Sequence, residues 1–476
     1  MNMRGSVINQ EEIKRLHTES LRILEDVGVR IQSEKALGLL ENKGAFVNWD
    51  TQIAKIPRKL VESSLNLCPK DFVLGARDPE FDLSLPNEKS SINLDGTGTR
   101  IRDFHTGERR GAKLSDIADA SRVFDSMDCG TVLWPPLVAQ DVKSTASGFL
   151  GASTAFLNSR KHIQDEVKKI EEVEFVWQLL KTILGSEDEI RNRKIYSATY
   201  CTVAPLSHDK DMLEATMELT GHHAPILMYP MPATGSTGPA SLFSNIALAN
   251  AETLSSIVVF QTLSPGTPLI YGAALGTIDR RTGAFLEGAV ETAIQLTAMT
   301  QMGEYYKLPT IVAGCLTDAH SIGIQAIMEK TLTSLPLVLA GVDVVQGAGF
   351  LESSMTLCLE QILIDGEILH LCNRMAQGID CSEEKNLFDD IQAVGPGNHF
   401  LKQKSTRNLF RTDEYYTPPL SIRDSYDSWI TIGSPDMIGN ARAKVDALLK
   451  SELPNPIDHQ KEKVIREIMK EAEETL

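Results

Sequence analysis

The sequence has few cysteines, and none of them belongs to a paired motif. The 476 residues include seven cysteines, at positions 68, 129, 201, 315, 358, 372 and 381, without a Cys-x-x-Cys pair. An odd number of scattered thiols indicates a reduced protein rather than a disulfide framework. The spacing also argues against zinc, which needs three or four converging ligands. We therefore expect a cytoplasmic protein with no metal of its own.

Positive charge and long apolar runs are scarce as well. The formal net charge of −17 argues against nucleic acid and anionic membrane surfaces as partners, because both recruit basic patches. The longest apolar region, 335–350, is interrupted by Asp343, Gln346 and several glycines and is too short and polar to span a bilayer. The first nine residues lack the apolar core of a signal peptide. We expect neither a membrane span nor a secretory leader.

What the sequence does contain is a repeated alternation of short apolar runs and helical stretches. A buried parallel strand is continuously apolar rather than alternating. Eight runs fit that description: 91–94, 131–137, 161–167, 195–201, 225–229, 268–271, 310–313 and 342–345. The clearest helices lie at 211–220, 241–263, 288–306, 325–340 and 357–375, and a hairpin is predicted at 100–110. The pattern predicts an α/β fold, a (β/α)8 TIM barrel, although a doubly wound open sheet would show similar alternation.

Two further segments flank the predicted barrel. Residues 1–85 read as a separate helical segment, residues 86–381 as the barrel, and residues 382–476 as a polar C-terminal appendage. The appendage has helical patterns near 438–449 and 458–473 and no recognisable catalytic motif. We expect it to pack on the barrel, at a contact between subunits of a homo-oligomer.

In a TIM barrel the functional site is built at the carboxyl ends of the strands. The run 310–313 shows the arrangement well, because the polar Thr317, Asp318 and His320 follow it closely and a helical pattern then begins. The residues near the ends of the eight runs are Asp95, Trp134, Gln164, Asp165, Glu166, Thr202, Tyr229, Thr234, Tyr271, Asp318, His320, Gln346, Phe350 and Glu352.

Each candidate has a structural interpretation beside the functional one. Asp95 precedes a glycine and fits a turn, and Asp318 fits a helix cap. The aromatic candidates fit core or rim packing equally well. Together, however, Trp134, Tyr229, Tyr271 and Phe350 would suit a cage for a quaternary ammonium ion.

Several segments, taken together and in order, resemble the trimethylamine methyltransferase (MttB) superfamily. They include Asp103–Arg110 (DFHTGERR), Tyr229–Pro239 (YPMPATGSTGP), Ser264–Pro268 (SPGTP), Thr317–Ala319 (TDA) and Gly395–Gly397 (GPG). No single segment is specific, whereas the ordered set covers nearly the whole chain. The resemblance implies a TIM barrel, in agreement with the strand count.

The resemblance also implies a reaction. Members of this superfamily transfer a methyl group from an amine to the cobalt of a corrinoid that a separate protein carries. The sequence shows no unusual residue, so it resembles the branch without pyrrolysine, whose substrates are quaternary amines of the betaine type such as glycine betaine, proline betaine or carnitine. Under this hypothesis the chain holds no tightly bound cofactor itself, and its partners are the quaternary amine and a cognate corrinoid protein.

We assign roles to the strand-end residues within that hypothesis. Catalytic roles fall to Asp95, Asp318 and Glu352, and substrate binding falls to Trp134, Gln164, Tyr229, Tyr271, His320, Gln346 and Phe350. His320 stands where relatives commonly carry lysine, so it is expected to donate to the carboxylate of a betaine.

Two alternatives stay open at this point. The first is a zinc-dependent barrel methyltransferase that uses Cys201, Cys315 and His320 as ligands. The second is a barrel without catalytic activity that only binds a quaternary ammonium ion.

Overall fold

The centre of the fold is an eight-stranded parallel barrel. The computed structural model describes residues 3–96 and 98–476. In chain order, strands one to eight of the barrel are Ser91–Leu94, Val132–Leu133, His162–Glu166, Tyr196–Tyr200, Ile226–Met228, Leu269–Ala273, Thr310–Ala313 and Val344–Ala348. Each predicted apolar run overlaps one of them, and strands six and eight extend two to three residues beyond the predicted ends. Strand two is shorter than predicted, since Pro135 and Pro136 follow it and proline cannot donate to a ladder.

The strands follow one another around the barrel in chain order. Strands two to eight pair in parallel with their sequence neighbours, and strand eight pairs with strand one through Val344 and Ser91. Strands one and two meet at a bridge between Ile92 and Gly130, where the Ile92 amide donates to the Cys129 carbonyl at 2.9 Å. We call this contact the closing seam. It confirms the TIM barrel and excludes an open doubly wound sheet.

A helix follows every strand and covers the outside of the barrel. These eight helices are Leu114–Asp125, Ser147–Asn158, Ile170–Leu184, Lys210–Gly221, Leu242–Leu263, Val290–Tyr306, Ile324–Ala340 and Leu359–Gln377. The five predicted helices are confirmed within a few residues. Leu242–Leu263 is long and apolar enough to cross a membrane, but 89% of its most apolar window is buried in the structure. Such burial is typical of a core helix.

The loops of the barrel contain short strands and one small helix. The predicted hairpin is confirmed, with strands Arg100–Arg102 and Arg109–Gly111 in antiparallel pairing. A second hairpin, Gly276–Ile278 with Phe285–Leu286, lies between strand six and its helix. The remaining elements are the strands Ser207–His208, Ala233–Thr234, Phe350–Leu351 and Thr356–Leu357 and the helix Glu187–Arg193.

The N-terminal segment is mixed rather than purely helical. Its helices are Gln10–Arg22, Glu34–Asn42 and Arg58–Leu67, with a π-helical turn at Ile23–Val27 and a 3-10 turn at Pro79–Phe81. It also contains the strands Val29–Ile31, Phe46–Asn48, Ile53–Lys55, Phe72–Leu74 and Leu83–Leu85. Val29–Ile31 pairs in parallel with Ser207–His208, a strand from the loop after strand four. The segment is therefore joined to the barrel by a shared sheet.

The C-terminal segment consists of short helices and two longer ones. They are Phe388–Val394, Lys404–Leu409, Tyr426–Thr431, Met437–Lys450 and His459–Thr475, with 3-10 turns at Glu383–Lys385 and Phe400–Lys402. Met437–Lys450 contacts the helices that follow strands one and eight, and His459–Thr475 contacts those that follow strands two and three. The long helices thus pack on the barrel's outer layer.

Candidate functional site

The carboxyl ends of the strands form one face of the barrel, which we call the mouth. Asp95 follows strand one, Trp134 follows strand two, and Tyr229 follows strand five. Gly96 leaves space for the Trp134 indole beside Asp95, because a Cβ at position 96 would lie 2.0 Å from Nε1 of Trp134. The missing side chain lets the indole reach Asp165 Oδ1, to which Nε1 donates at 3.0 Å.

Carboxyl groups gather at this mouth from three directions. Glu166 ends strand three and accepts from the thiol of Cys201, the residue after strand four, at 3.2 Å. Glu287 comes from the loop after strand six, and its Oε2 accepts from the Ser354 hydroxyl at 2.6 Å. The same Ser354 hydroxyl interacts with the carboxyl of Asp95. We call Asp95, Asp165, Glu166 and Glu287 the acidic cluster.

Three members of the acidic cluster, Asp95, Asp165 and Glu287, have raised pKa values. Burial raises the pKa of Asp95 to about 6, and the neighbouring Glu166 adds to the rise. Burial also raises the pKa of Glu287 to about 8, with a further contribution from Asp95. The pKa of Asp165 lies well above its ordinary value because of burial and the charge of Glu166. Burial is the main cause of all three shifts, and the charges of neighbouring carboxylates add to it.

Few cations neutralise this cluster. In the described part of the chain, its one ion pair joins Glu166 to Lys168, at 3.6 Å, and the Lys168 side chain is 58% exposed. Lys330 lies deeper, but its ammonium group is already bound to Asp365 at 2.9 Å, and both side chains are fully buried. The mouth therefore has more carboxyl groups than positive charges, and a cationic ligand would correct that imbalance.

Two aromatic rings lie beside the acidic cluster. Trp134 and Tyr229 meet edge to face, with ring centroids 6.1 Å apart. Burial raises the pKa of the Tyr229 phenol well above its ordinary value, and the charges of Asp95, Cys201 and Glu287 raise it further, which places the ring next to these groups. The Tyr229 hydroxyl is buried and has no hydrogen-bond partner among the described residues. Aromatic faces next to carboxylates are the surroundings that bind quaternary ammonium ions well.

Gln164 and Gln346 lie below the mouth, inside the barrel. The Asn93 amide donates to the carbonyl oxygens of Gln346 at 3.3 Å and Gln164 at 3.5 Å, and Gln164 donates to Ser197 at 3.0 Å. Nε2 of Gln346 is buried and has no partner among the described residues. The layer forms the floor of the mouth, and this amide is its one unpaired donor in the described chain.

The Asp318 carboxylate is bound to neighbouring loops of the mouth and is not free to contact a ligand. Its carboxylate accepts the backbone amides of Glu287 at 2.8 Å and Gly288 at 3.1 Å. It also accepts from the Ser353 hydroxyl at 2.7 Å. Asp318 therefore ties the loops after strands six, seven and eight together and fixes the position of Glu287. The capping interpretation of Asp318 was wrong, because the amides that it accepts precede the helix Val290–Tyr306 and the helix Ile324–Ala340 has no side-chain cap.

His320 and Glu352 lie at the rim. The His320 side chain is 85% exposed, with Nδ1 3.6 Å from Oε1 of Glu352. Glu352 also accepts from Arg109 at 2.7 Å and from Thr356 at 2.7 Å. Phe350 is buried close to the loop after strand one, since a Cβ on Gly98 would lie 2.5 Å from its ring. These three residues surround the mouth without belonging to the acidic cluster.

The structure does not bring Tyr271 to the mouth. Its hydroxyl donates to Oδ1 of Asn250 at 2.7 Å, and its ring packs near Tyr306, at a centroid distance of 5.9 Å. Both partners lie on outer helices, so the ring faces away from the barrel interior. The reason is the alternation of side chains along a strand, which a continuously apolar run hides.

The zinc ligands considered above do not converge. Cys201 contacts Glu166 in the mouth and His320 is at the rim, whereas the carbonyl of Cys315 accepts from the buried Lys330. Among the described residues, the group of cysteine, histidine and carboxylate side chains that could hold a metal ion is a different one. The zinc-dependent alternative therefore loses its ligand set.

Glu287 is the residue of the mouth that sequence reasoning missed. It lies well beyond the end of strand six, because the hairpin Gly276–Ile278 with Phe285–Leu286 intervenes. A carboxylate between an apolar pair and Gly288 was its one sequence signal. That signal becomes informative once the hairpin is known to fold back over the barrel.

Comparisons with known proteins agree with this geometry. The profile of the family described as trimethylamine methyltransferase (MTTB) matches residues 3–476. The chain is 31% identical over 459 residues to trimethylamine methyltransferase MttB of Methanosarcina thermophila, covering 95% of this chain and 94% of the relative. It is 29% identical over 430 residues to the glycine betaine methyltransferase of Desulfitobacterium hafniense (strain Y51), covering 89% and 88%.

A solved structure gives the same fold. The crystal structure of the hydroxylamine MtmB complex superposes with a TM-score of 0.54 at 12% identity, covering 93% of this chain and 89% of the other. At this identity the likeness concerns the fold alone.

Proposed function

This chain belongs to the trimethylamine methyltransferase (MTTB) family and is a methyltransferase, and we propose that it moves a methyl group from a quaternary amine to the Co(I) corrinoid of a separate protein. The observation that carries the proposal is the acidic cluster beside Trp134 and Tyr229. A permanent cation without N–H groups cannot be held by directed hydrogen bonds from nitrogen. Carboxylates and aromatic faces can hold it.

Methyl transfer from a quaternary amine requires little acid or base catalysis by the protein. The bond between the methyl carbon and the positive nitrogen breaks, and nitrogen keeps the electron pair and leaves as a neutral tertiary amine. The acceptor supplies the nucleophile, reduced Co(I), and carries the methyl group away. No proton is needed at departure. The residues of this chain therefore have to bind the cation, orient one methyl group toward solvent and exclude competing water.

The individual side chains divide this work. Asp95 and Glu287 face the positive nitrogen, and Trp134 and Tyr229 pack against its other methyl groups. Asp318 positions Glu287 through the two backbone amides that it accepts. Glu352 and His320 at the rim are the residues that an approaching protein or the tail of a longer substrate meets first. None of these roles requires a cofactor bound to this chain.

Glycine betaine, proline betaine and carnitine stay within the proposed substrate class. The similarity to a glycine betaine methyltransferase supports a betaine as substrate. The donors that a carboxylate could meet are Nε2 of Gln346 on the floor and the exposed Lys168, Arg109 and His320 near the rim. A short betaine would use the floor donor and a long one the rim.

The proposal is tested by methyl transfer to free Co(I) cobalamin. Purified protein is mixed with tetramethylammonium, choline, glycine betaine, proline betaine and carnitine, and methylcobalamin formation is followed by absorbance. At least one quaternary amine should react, and trimethylamine should not. Tight binding of a quaternary amine without any transfer, to free cobalamin or to a corrinoid protein, would instead support a barrel that only binds its ligand.

Asp95→Asn provides the variant that links activity to the acidic cluster. Removing one negative charge close to the cation should lower transfer efficiency about tenfold to 100-fold, as expected for a loss of about 1.4–2.8 kcal/mol. Asp446→Asn is the matched control, because Asp446 lies on the outer helix Met437–Lys450 and pairs with Lys450. Equal activity of both variants would contradict the proposal.

We also propose that the protein is a homo-oligomer that contacts itself through the C-terminal segment. Support comes from its exposed large apolar side chains, among them Phe388, Leu401, Phe410, Tyr426 and Ile432. Exposed apolar patches of this kind usually mark an interaction surface. Light scattering coupled to gel filtration tests the proposal, and a monomer at micromolar concentration would overturn it.

A further inference from the structure

A second cluster of chemically active side chains lies at the opposite end of the barrel from the mouth. Asp128 and Cys129 precede strand two, and His370 lies on the helix Leu359–Gln377 that follows strand eight. One ligand atom from each of the three lies within 4.8 Å of the others. The residues are 242 positions apart in sequence, so the fold alone brings them together.

The local contacts leave these side chains available to a ligand. Nε2 of His370 lies 2.9 Å from Oδ1 of Asp128, and the imidazole is also in hydrogen-bond contact with the Cys129 thiol. Outside the cluster, the Cys129 thiol faces the Gly366 carbonyl oxygen at 4.0 Å. This distance is too long for a strong hydrogen bond. Gly366 lies one helical turn before His370, and a Cβ there would lie 2.5 Å from the Met127 methyl group and at an ordinary contact distance of 3.5 Å from the Cys129 sulfur.

The chemistry and separation of the ligand atoms fit zinc. A thiolate, an imidazole and a carboxylate are the three ligand types that Zn²⁺ accepts, and a thiolate disfavours Mg²⁺ and Ca²⁺. Tetrahedral zinc with bonds of about 2.0–2.3 Å places its ligand atoms about 3.3–3.8 Å apart. The observed separations, from 2.9 Å up to a limit of 4.8 Å, bracket that range.

A cavity adjoins the cluster and leaves space for a fourth ligand. Its volume is about 650 Å³, and Asp128, Cys129 and His370 are part of its wall. Tyr416, from the C-terminal segment, also lines it and stacks on the His370 ring at a centroid distance of 5.6 Å. The Tyr416 hydroxyl has no solvent-exposed area and no hydrogen-bond partner among the described residues. Tyr416 thus adds a residue with an unsatisfied polar atom to the cavity wall that holds the three ligands.

We propose that Asp128, Cys129 and His370 bind a zinc ion that fastens the closing seam of the barrel. The Cys129 carbonyl already accepts the Ile92 amide at that seam, as part of the isolated bridge between Ile92 and Gly130. A metal ion here joins the start of strand two to the helix after strand eight. Residues at this end of a TIM barrel serve stability rather than catalysis. The expectation that the chain holds no metal rested on local spacing, which cannot detect ligands so far apart.

The proposal is tested by metal analysis of the full-length chain and three variants. Protein stripped with a chelator is equilibrated with buffered zinc, and bound metal is measured by mass spectrometry. The wild type should retain stoichiometric zinc. Cys129→Ser and His370→Asn should each weaken binding by more than the roughly 10–100-fold that loss of an outer-shell partner costs. Cys381→Ser is the matched control, because Cys381 is exposed just before the C-terminal segment, and this variant should bind zinc like the wild type.

Two further readouts keep the test decisive if one variant folds poorly. Zinc should raise the Tm of the stripped wild type by about 2–6 °C and leave that of His370→Asn unchanged. Cobalt(II) in place of zinc should give a thiolate-to-metal charge-transfer band that Cys129→Ser or His370→Asn abolishes. Wild-type protein that takes up no zinc, or variants that take up as much as the wild type, would reduce the cluster to a histidine–aspartate ion pair and overturn the proposal.

Discussion

Binding of a quaternary ammonium ion should release protons from the acidic cluster, and its affinity should therefore rise with pH. In the free protein Glu287 has a pKa of about 8 and Asp95 a pKa of about 6, in both cases mainly because burial disfavours the charged form. A cation placed between them favours the ionised carboxylates and lowers both pKa values. At pH 6 Glu287 must lose a proton to bind the cation, whereas above pH 8 it is already ionised.

The size of the effect follows from proton linkage. Each proton released improves the dissociation constant up to about tenfold per pH unit, between the pKa values of the bound and free states. Glu287 alone therefore predicts an improvement of up to about 100-fold between pH 6 and pH 8 and a plateau above pH 8. Asp95 contributes below pH 6. The charges facing these groups in the mouth are Glu166, Asp318 and the more distant Lys168 and Lys330.

Calorimetry in pairs of buffers with different ionisation enthalpies measures both the affinity for the cation and the number of protons released on binding. Tetramethylammonium is the probe, because it has no group that titrates. Close to one proton should be released per cation at pH 7. Glu287→Gln should abolish most of the release and flatten the profile between pH 6 and 8, while Glu291→Gln, an exposed control on the following helix, should behave like the wild type. Affinity that is independent of pH over this range, or that falls as pH rises, would refute the assignment of the acidic cluster as the cation site.

Three other predictions follow from single contacts. Gly96→Ala should lower methyl-transfer efficiency about tenfold, because the new Cβ displaces the Trp134 indole from Asp165; Gly221→Ala, where a Cβ meets nothing within 4 Å, should have no effect, and equal kinetics for both would count against a role for the indole. His320→Ala should change the methyl-transfer efficiency for a betaine by less than about fivefold, because polar contacts of exposed side chains contribute at most about 1 kcal/mol. A buried donor would give a loss of about tenfold to 100-fold. A loss of about tenfold to 100-fold in His320→Ala would therefore show that the rim closes over the substrate. Lys330→Ala should reduce the free energy of unfolding by about 3–5 kcal/mol, since it leaves Asp365 buried without its partner; chemical denaturation measures this, and a change below about 1 kcal/mol would contradict a buried ion pair.

The barrel was predictable because its signal is repeated. Eight apolar runs of similar length are hard to produce by chance, and the structure places a barrel strand in each. The helices after strands one to three were less visible. Ser147–Asn158, for example, is built from small and apolar residues and is buried on most sides, so it shows little amphipathic period. The small strands of the N-terminal segment were missed because three-residue strands have no measurable pattern.

The location of the candidate site could be predicted from the sequence, whereas only some of its residues could. Asp95, Trp134 and Tyr229 follow their strands directly, and the carboxyl ends of parallel strands necessarily meet at one face. Tyr271 was assigned to that face although its side chain points to the outer helices. Glu287 is brought to the mouth by a hairpin, and Cys129 meets His370 across about half of the chain. Such contacts depend on tertiary structure and leave no local trace in the sequence.

The measurement that tests the central claim most directly is the fate of a labelled methyl group. Tetramethylammonium or a betaine carrying deuterated methyl groups is incubated with the protein and reduced cobalamin, and both products are analysed by mass spectrometry. We predict one intact trideuteromethyl group on cobalt for every tertiary amine formed, and a rate of formation of both products that is about tenfold to 100-fold lower in Asp95→Asn. Tertiary amine without labelled methylcobalamin, or labelled methylcobalamin formed equally well by Asp95→Asn and the wild type, would contradict it.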